Sequence, residues 1–143
     1  MRLFVTLSFA ALLGAAAVAA QSTTTPYKVL KTARVGGEGG WDYIYADVAG
    51  RRLYIPRRGS AAVDATDTRP AAPAIPTRLT VFDLDSLEPV GAIEGVGGNG
   101  AAVDPVTGHG FTSSKPVSMF DTKTMKAIKT IDVGAAQPDG ILF

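Results

Sequence analysis

The sequence has 143 residues, 46% of them hydrophobic, with 14 basic and 13 acidic side chains and no cysteine. A net charge of +1 gives the chain no electrostatic reason to bind nucleic acid or an anionic membrane surface, so neither is expected as a partner. Without cysteine the fold cannot depend on disulfides or on a cysteine-ligated metal, and its stability has to come from packing.

The first twenty residues have the layout of a secretory signal peptide. Arg2 gives a positive start, residues 3–18 are apolar, and small residues at Ala19 and Ala20 precede a polar run. The apolar run is short for a membrane anchor and rich in alanine, so cleavage after Ala19 or Ala20 is expected. No arginine pair opens it, which favours the general export route. The predicted product is periplasmic or secreted, with no membrane span after cleavage.

Short β-rich runs bounded by turn residues follow the leader, and no stretch keeps the apolar spacing of a helix free of Gly or Pro. The pattern predicts strands at 27–35, 43–48, 52–55, 79–84, 90–93, 101–103, 110–112, 117–120, 127–133 and 141–143. Many short strands at close spacing are typical of a sandwich, a barrel or a propeller, so the predicted fold class is all-β.

A repeated strand–turn–strand unit distinguishes among these three architectures. A strand, the pair Phe-Asp, a polar turn and a second strand occur at 79–93 and again at 117–131. Phe82 and Phe120 are therefore 38 positions apart. Recurrence at this period is typical of stacked repeats.

A second comparison extends the unit toward the N-terminus. Residues 46–55 resemble residues 103–112, which places Tyr54 and Phe111 57 positions apart. This spacing of 57 is longer than the spacing of 38 between Phe82 and Phe120. The additional residues fall in 60–78, a stretch rich in Ala, Pro, Thr and Asp. We expect that stretch to be an inserted loop without periodicity.

Four short strands in roughly 40 residues match the size of a β-propeller blade of antiparallel strands. The units are placed at 40–95, which carries the inserted loop 60–78, and at 98–133, while 138–143 starts a third. The segment 27–35 is interpreted as the last strand of another blade. Closed propellers use about 4 to 8 blades. About two and a half blades therefore predict part of a longer protein, favoured by the apolar end, or assembly with other copies.

Four short motifs carry a resemblance to a known family. They are Leu-Tyr-Ile at 53–55, Val-Phe-Asp-Leu-Asp-Ser-Leu at 81–87, Val-Gly-Ala-Ile at 90–93 and Pro-Asp-Gly-Ile at 138–141. They resemble the YVTN-type repeats of YncE-like bacterial proteins, over nearly all of the domain at 21–143. The resemblance implies a seven-bladed parent propeller in the periplasm or outside the cell. It implies no settled activity, since relatives of similar fold include lactonases and the β-subunits of amine dehydrogenases.

Two motifs that could carry chemistry are given structural interpretations. The glycine-rich run at 95–100 matches a dinucleotide-binding pattern, but no helix can follow it, so a loop with positive φ angles is expected. His109, the sole histidine, could formally form a triad with Ser113 or Ser114 and Asp104. Its place in a predicted hairpin turn favours a solvated or structural role. No catalytic residue, metal site or cofactor is predicted.

Aspartates recur at equivalent positions of the units. Asp47 corresponds to Asp104, and Asp83 corresponds to Asp121. Aspartate accepts backbone N–H bonds in tight turns, and a general acid or base would be expected once and not at every repeat. These four carboxylates are therefore predicted to be turn residues.

The candidate ligand-binding residues are Trp41, Asp42, Asn99 and Asp139. Trp41 and Asp42 start the innermost strand of the first unit, and Asn99 and Asp139 occupy the equivalent places in later units. A propeller gathers such loops at one end of its axis. Trp41 offers a broad contact surface and the other three offer acceptors. Packing of Trp41 between blades is the alternative.

The sequence thus predicts an exported repeat protein that acts as a binding or scaffold module with no catalysis evident. Its partner is an unknown small molecule or protein at the propeller face. The alternative is a propeller enzyme such as a lactonase, or a dehydrogenase-type propeller subunit that needs a cofactor-bearing partner.

Overall fold

A computed structural model describes residues 27–143, so the predicted signal peptide lies outside the described residues. Within the described residues, 33–143 form one compact unit, and it contains every strand of that part of the chain. Regular structure in residues 27–143 is entirely β, which confirms the all-β prediction. This part of the chain has no helix that is long and apolar enough to cross a membrane.

Eight strands form two four-stranded antiparallel sheets. Sheet 1 contains β1 (Tyr45–Asp47), β2 (Arg52–Arg57), β3 (Arg78–Asp83) and β4 (Pro89–Glu94). Sheet 2 contains β5 (Ala101–Asp104), β6 (His109–Thr112), β7 (Val117–Asp121) and β8 (Lys126–Ile131). Each strand pairs with the next along the chain, so both sheets are simple meanders.

The two sheets repeat one register. Phe82 lies opposite Leu53 in sheet 1, and Phe120 lies opposite Gly110 in sheet 2. The pairing with the last strand shifts directly before the phenylalanine in both sheets. Residues that are 38 positions apart in sequence, such as Phe82 and Phe120, therefore occupy equivalent positions in the two sheets.

The recurring aspartates close turns, as the sequence predicts. Asp83 Oδ1 accepts the N–H of Ser86 at 2.8 Å, and Asp121 Oδ1 accepts the N–H of Thr124 at 2.6 Å. These bonds favour the charged carboxylates and hold both pKa values below their usual range. In the turns after β1 and β5, Asp47 accepts from Gly50 and Asp104 accepts from Val106.

The sheets pack against each other through one apolar core. It contains Tyr54, Leu79, Val81 and Ile93 of sheet 1, Val96 of the connection, and Ala101, Val103 and Phe120 of sheet 2. The ring centroids of Tyr54 and Phe120 are 5.7 Å apart with the planes tilted by 48°. Burial, with a smaller contribution from the charge of Asp47, raises the pKa of Tyr54 to about 12.

Each sheet has an inner and an outer face, because cross-strand neighbours share a face and alternate residues do not. The inner faces are the Tyr54 face of sheet 1 and the Phe120 face of sheet 2, which contact each other. The outer faces are named the Phe82 face of sheet 1 (Leu53, Ile55, Phe82) and the Phe111 face of sheet 2 (Ala102, Phe111, Met119).

Two predicted strands are wrong. Residues 27–35 and 141–143 have no regular secondary structure. An extended segment becomes a strand only where a neighbour completes its hydrogen-bond ladder. Residues 27–35 and 141–143 form no hydrogen-bond ladder with an edge strand of either sheet, so they remain irregular.

The inserted stretch is not an aperiodic loop, which corrects a second expectation. It continues β2 and β3 as a narrow hairpin with backbone pairs every third residue: Ser60 with Ile75, Val63 with Ala72, and Thr66 with Arg69. The pairs exchange N–H···O bonds of 2.8–3.3 Å. Pro70, Pro73 and Pro76 each follow a paired residue, and proline keeps the residue before it extended. The prolines therefore recur with the same three-residue period as the backbone pairs.

Candidate functional site

Three loop segments meet beside the entries to β1 and β5. The Tyr43 N–H donates to the Asn99 carbonyl at 2.8 Å. The Tyr43 hydroxyl donates to Asp139 Oδ2 at 3.3 Å, and Asn99 Nδ2 donates to Asp139 Oδ1 at 3.1 Å. Two of the four predicted site residues, Asn99 and Asp139, are therefore brought into direct contact. Asp139, and to a lesser degree Asp42, raises the pKa of the Tyr43 hydroxyl.

Asn99 connects the segments and is itself fully engaged. Its side chain is 5% exposed. Arg58 Nη1 donates to Asn99 Oδ1 at 3.0 Å, while Asn99 Nδ2 reaches the Pro138 carbonyl at 3.3 Å as well as Asp139. Both amide hydrogens and one lone pair of Oδ1 are used, so Asn99 holds its neighbours in place.

Ser113, at the end of β6, attaches the third segment. Its hydroxyl accepts the Gly100 N–H at 2.8 Å and donates to the Asp139 carbonyl. The backbone at Gly98 has a φ of 150°, and a side chain there would collide with Ser113 and Ser114. A glycine is therefore needed for the loop at 95–100 to approach β6 so closely.

A polar cleft of about 340 Å³ opens next to this junction. Its lining residues are Arg58, Gly59, Thr77, Gly97, Gly98, Asn99, Ser113, Ser114, Lys115, Ala136 and Gln137. Among residues 27–143, Arg51 pairs with Asp85 and Arg52 pairs with Asp83. No acid of that region neutralises Arg58 or Lys115, so the cleft has a positive character that suits an anionic group.

Sequence reasoning missed Tyr43, Arg58, Ser113 and Lys115 as residues of this region. One sequence cue could have found two of them. Arg58 and Lys115 are 57 positions apart, the spacing that relates Tyr54 to Phe111. A cation therefore recurs at one place of the repeat, one residue after β2 in sheet 1 and three residues after β6 in sheet 2.

The other two predicted residues lie apart from the cleft. Trp41 is 59% exposed and lines an apolar cavity of about 280 Å³ on the Phe82 face. Asp42 is exposed and has no side-chain hydrogen bond among those of residues 27–143. The four candidates therefore divide into Asn99 and Asp139 at the junction, Trp41 at an apolar surface and Asp42 in solvent.

The apolar cavity of the Phe82 face contains one buried cation. Its lining residues are Ala33, Val35, Trp41, Ile44, Leu53, Ile55, Arg57, Phe82 and Leu87. Arg57 is 4% exposed, and its Nη2 donates to the Gly36 carbonyl at 2.6 Å. Burial and the nearby charge of Arg78 lower the pKa of Arg57. Its Nε is buried and has no hydrogen-bond partner in the described part of the chain.

The structure does not assemble the formal triad. His109 begins β6 and Ser113 follows the end of that strand, four residues on, which is about 13 Å at the rise of an antiparallel strand. Asp104 accepts the Thr107 hydroxyl at 2.6 Å in its own turn. Of the glycines at 95–100, Gly95 and Gly98 have the expected positive φ, at 72° and 150°.

Residues 27–143 contain no group of three or more His, Cys, Asp or Glu side chains that could hold a metal ion. Comparison with protein-family models, with curated proteins and with solved structures found no match to this chain. The assignment of function therefore depends on the geometry of the junction and the cleft.

Proposed function

We propose that this chain is an exported repeat protein of the β-propeller type that binds a small anionic molecule in the polar cleft and acts as a binding or scaffold module. The cleft lies where loops of successive repeats meet, which is the place where a propeller collects its ligand-binding loops. No catalytic role is assigned to any of its residues.

One observation carries this proposal, namely the convergence of three loops on one hydrogen-bonded junction. Tyr43, Asn99 and Asp139 come from segments far apart in sequence, yet each bonds to the other two. A junction that is already organised pre-orients the neighbouring cleft, and a rigid site loses less entropy on binding.

The side chains of the cleft define the class of ligand. Arg58 and Lys115 supply two positive charges beside loop backbone at 97–98. A carboxylate or phosphate group matches these donors. Because the cleft holds about 340 Å³, the ligand is a small molecule and not a polymer segment.

Isothermal titration with sodium phosphate, acetate and citrate tests the cleft directly. We expect saturable binding of at least one of these anions. Changing Arg58 or Lys115 to Gln should weaken it about tenfold, as expected for one charged hydrogen bond. Glutamine ends two bonds short of the arginine Nη1, so Arg58→Gln also removes the bond to Asn99, whereas Lys115→Gln removes a charge without removing a bond of the junction. Lys123→Gln, in the turn after β7, is the matched control. Absence of binding at millimolar anion, or equal loss in the control, would reject the proposal.

Export is tested independently by the mature N-terminus. The proposal expects the protein recovered from the periplasm or the medium to begin at Ala20 or Gln21, since the preceding residues are small and apolar. N-terminal sequencing or intact-mass measurement gives the answer. A product that retains Met1 and the leader would contradict export.

A further inference from the structure

The contact between the two sheets, called the joint below, is formed by two different faces of the repeat. The Tyr54 face of sheet 1 receives the Phe120 face of sheet 2, with the rings of Tyr54 and Phe120 5.7 Å apart. Both side chains are at most 1% exposed. The contact between the sheets therefore uses one face of each sheet. The opposite faces, the Phe82 face and the Phe111 face, take no part in it.

The two outer faces are the repeat equivalents of that joint. Phe82 occupies in sheet 1 the register position that Phe120 occupies in sheet 2. Phe111 stands 57 positions after Tyr54 and lies in the same place of its own sheet. The Phe82 face of sheet 1 is thus equivalent to the Phe120 face of sheet 2. The Phe111 face of sheet 2 is equivalent to the Tyr54 face of sheet 1.

The Phe82 face is covered incompletely by its own chain: Phe82 and Ile55 are 6% and 5% exposed, and residues 33–44 enclose an apolar cavity above them. Trp41 and Ile44 are 59% and 56% exposed beside the apolar cavity of about 280 Å³. Arg57 in the same cavity has a buried Nε that lacks an acceptor among residues 27–143. On the other side of the pair of sheets, Phe111 and Met119 are only half-buried.

We propose that the Phe82 face docks onto the Phe111 face of a second copy of this chain. Among the described residues, the Phe111 face is the surface that repeats the partner already seen in the internal joint. The interaction is heterologous, since different patches of the two copies meet. It depends on the repeat geometry and not on the ligand cleft, so the two proposals succeed or fail separately.

Sedimentation equilibrium over a wide concentration range tests the interaction. We expect concentration-dependent association of the purified protein. Ile44→Asp on the Phe82 face and Met119→Asp on the Phe111 face should each weaken it about tenfold or more, because a charge would have to be desolvated. Val106→Asp, at an apolar position that is 89% exposed in the turn after β5, is the control and should associate like the parent.

Mixing the two variants gives the decisive result. The Ile44 variant keeps an intact Phe111 face, and the Met119 variant keeps an intact Phe82 face. An equimolar mixture should therefore form a heterodimer with the parent affinity that neither variant forms with itself. A protein that stays monomeric, association that ignores both substitutions, or a mixture that does not recover would overturn the proposal.

Trp41 provides a readout that needs no substitution. It is the sole tryptophan and lies in the proposed interface. Its fluorescence emission should shift to shorter wavelength as the protein concentration rises, because docking removes the indole from water. Unchanged emission across the association range would place the contact elsewhere and also overturn the proposal.

Discussion

Gly110 lies directly beneath the ring of Phe120, its cross-strand neighbour. A methyl group at position 110 would occupy space that the ring fills, and Phe120 is completely buried in the core. We expect Gly110→Ala to destabilise the protein by about 1–3 kcal/mol, the usual range for overpacking. Urea unfolding measures the change. Gly140→Ala, where nothing lies within 4 Å, is the control, and equal loss in both variants would contradict the packing argument.

Asp121 makes stability depend on pH. Hydrogen bonds from the backbone and hydroxyl of Thr124 lower its pKa in the folded state. The carboxylate therefore stabilises the fold above the unfolded value of about 3.9, and this contribution is lost as the pH falls through the lower folded value. The difference in urea midpoint between the parent and Asp121→Asn should be largest near neutral pH and shrink below about pH 4.

A matched carboxylate separates this effect from net charge. Asp64 is exposed on the hairpin at 60–75, away from the turns of the sheets. Asp64→Asn removes the same charge from the hairpin, so a change shared by both variants reports net charge alone. A profile for Asp121→Asn that is parallel to the parent at every pH would show that the turn bonds do not depend on ionisation.

At the scale of elements, the hairpin at 60–75 forms a backbone pair at every third residue. Ala72 donates its N–H to the Val63 carbonyl at 2.9 Å, whereas Ala71 forms no backbone pair in the hairpin. Ala72→Pro removes one donor, and a net hydrogen bond is worth about 1 kcal/mol. Hydrogen exchange at Ile75 should accelerate roughly fivefold. Ala71→Pro should change it little, and similar acceleration in both variants would reject the pairing.

At the scale of the whole molecule, the joint between the sheets dominates stability. Phe120→Ala opens a cavity between both sheets and should lower the free energy of unfolding by about 3–5 kcal/mol. Phe82→Ala removes the equivalent ring from the outer face, where a cavity already exists, so a smaller loss is expected. Urea unfolding followed by circular dichroism compares them. Equal losses would mean that the outer face is packed as tightly as the inner one.

The sequence by itself determined the all-β class, the repeat and the turn role of the aspartates. These features follow from short-range chemistry, since strand periodicity, the Phe-Asp spacing and the Asx-type turns each lie within a few neighbouring residues. Even the missed hairpin has a local cue, in the prolines at 70, 73 and 76. The proximity of Asn99 and Asp139 was also within reach of the repeat argument, which placed them at equivalent positions of two units.

Only the tertiary structure decided which side chains meet. The sequence grouped Trp41 with Asn99 and Asp139, but Trp41 lies on the Phe82 face while Tyr43, two residues on, bonds to Asp139. Strand alternation would put residues two apart on the same side, but residues 41–44 precede β1 and are not in a strand, so the bend of the loop chooses the side. The pairing of the Tyr54 and Phe120 faces likewise depends on long-range packing that no local pattern specifies.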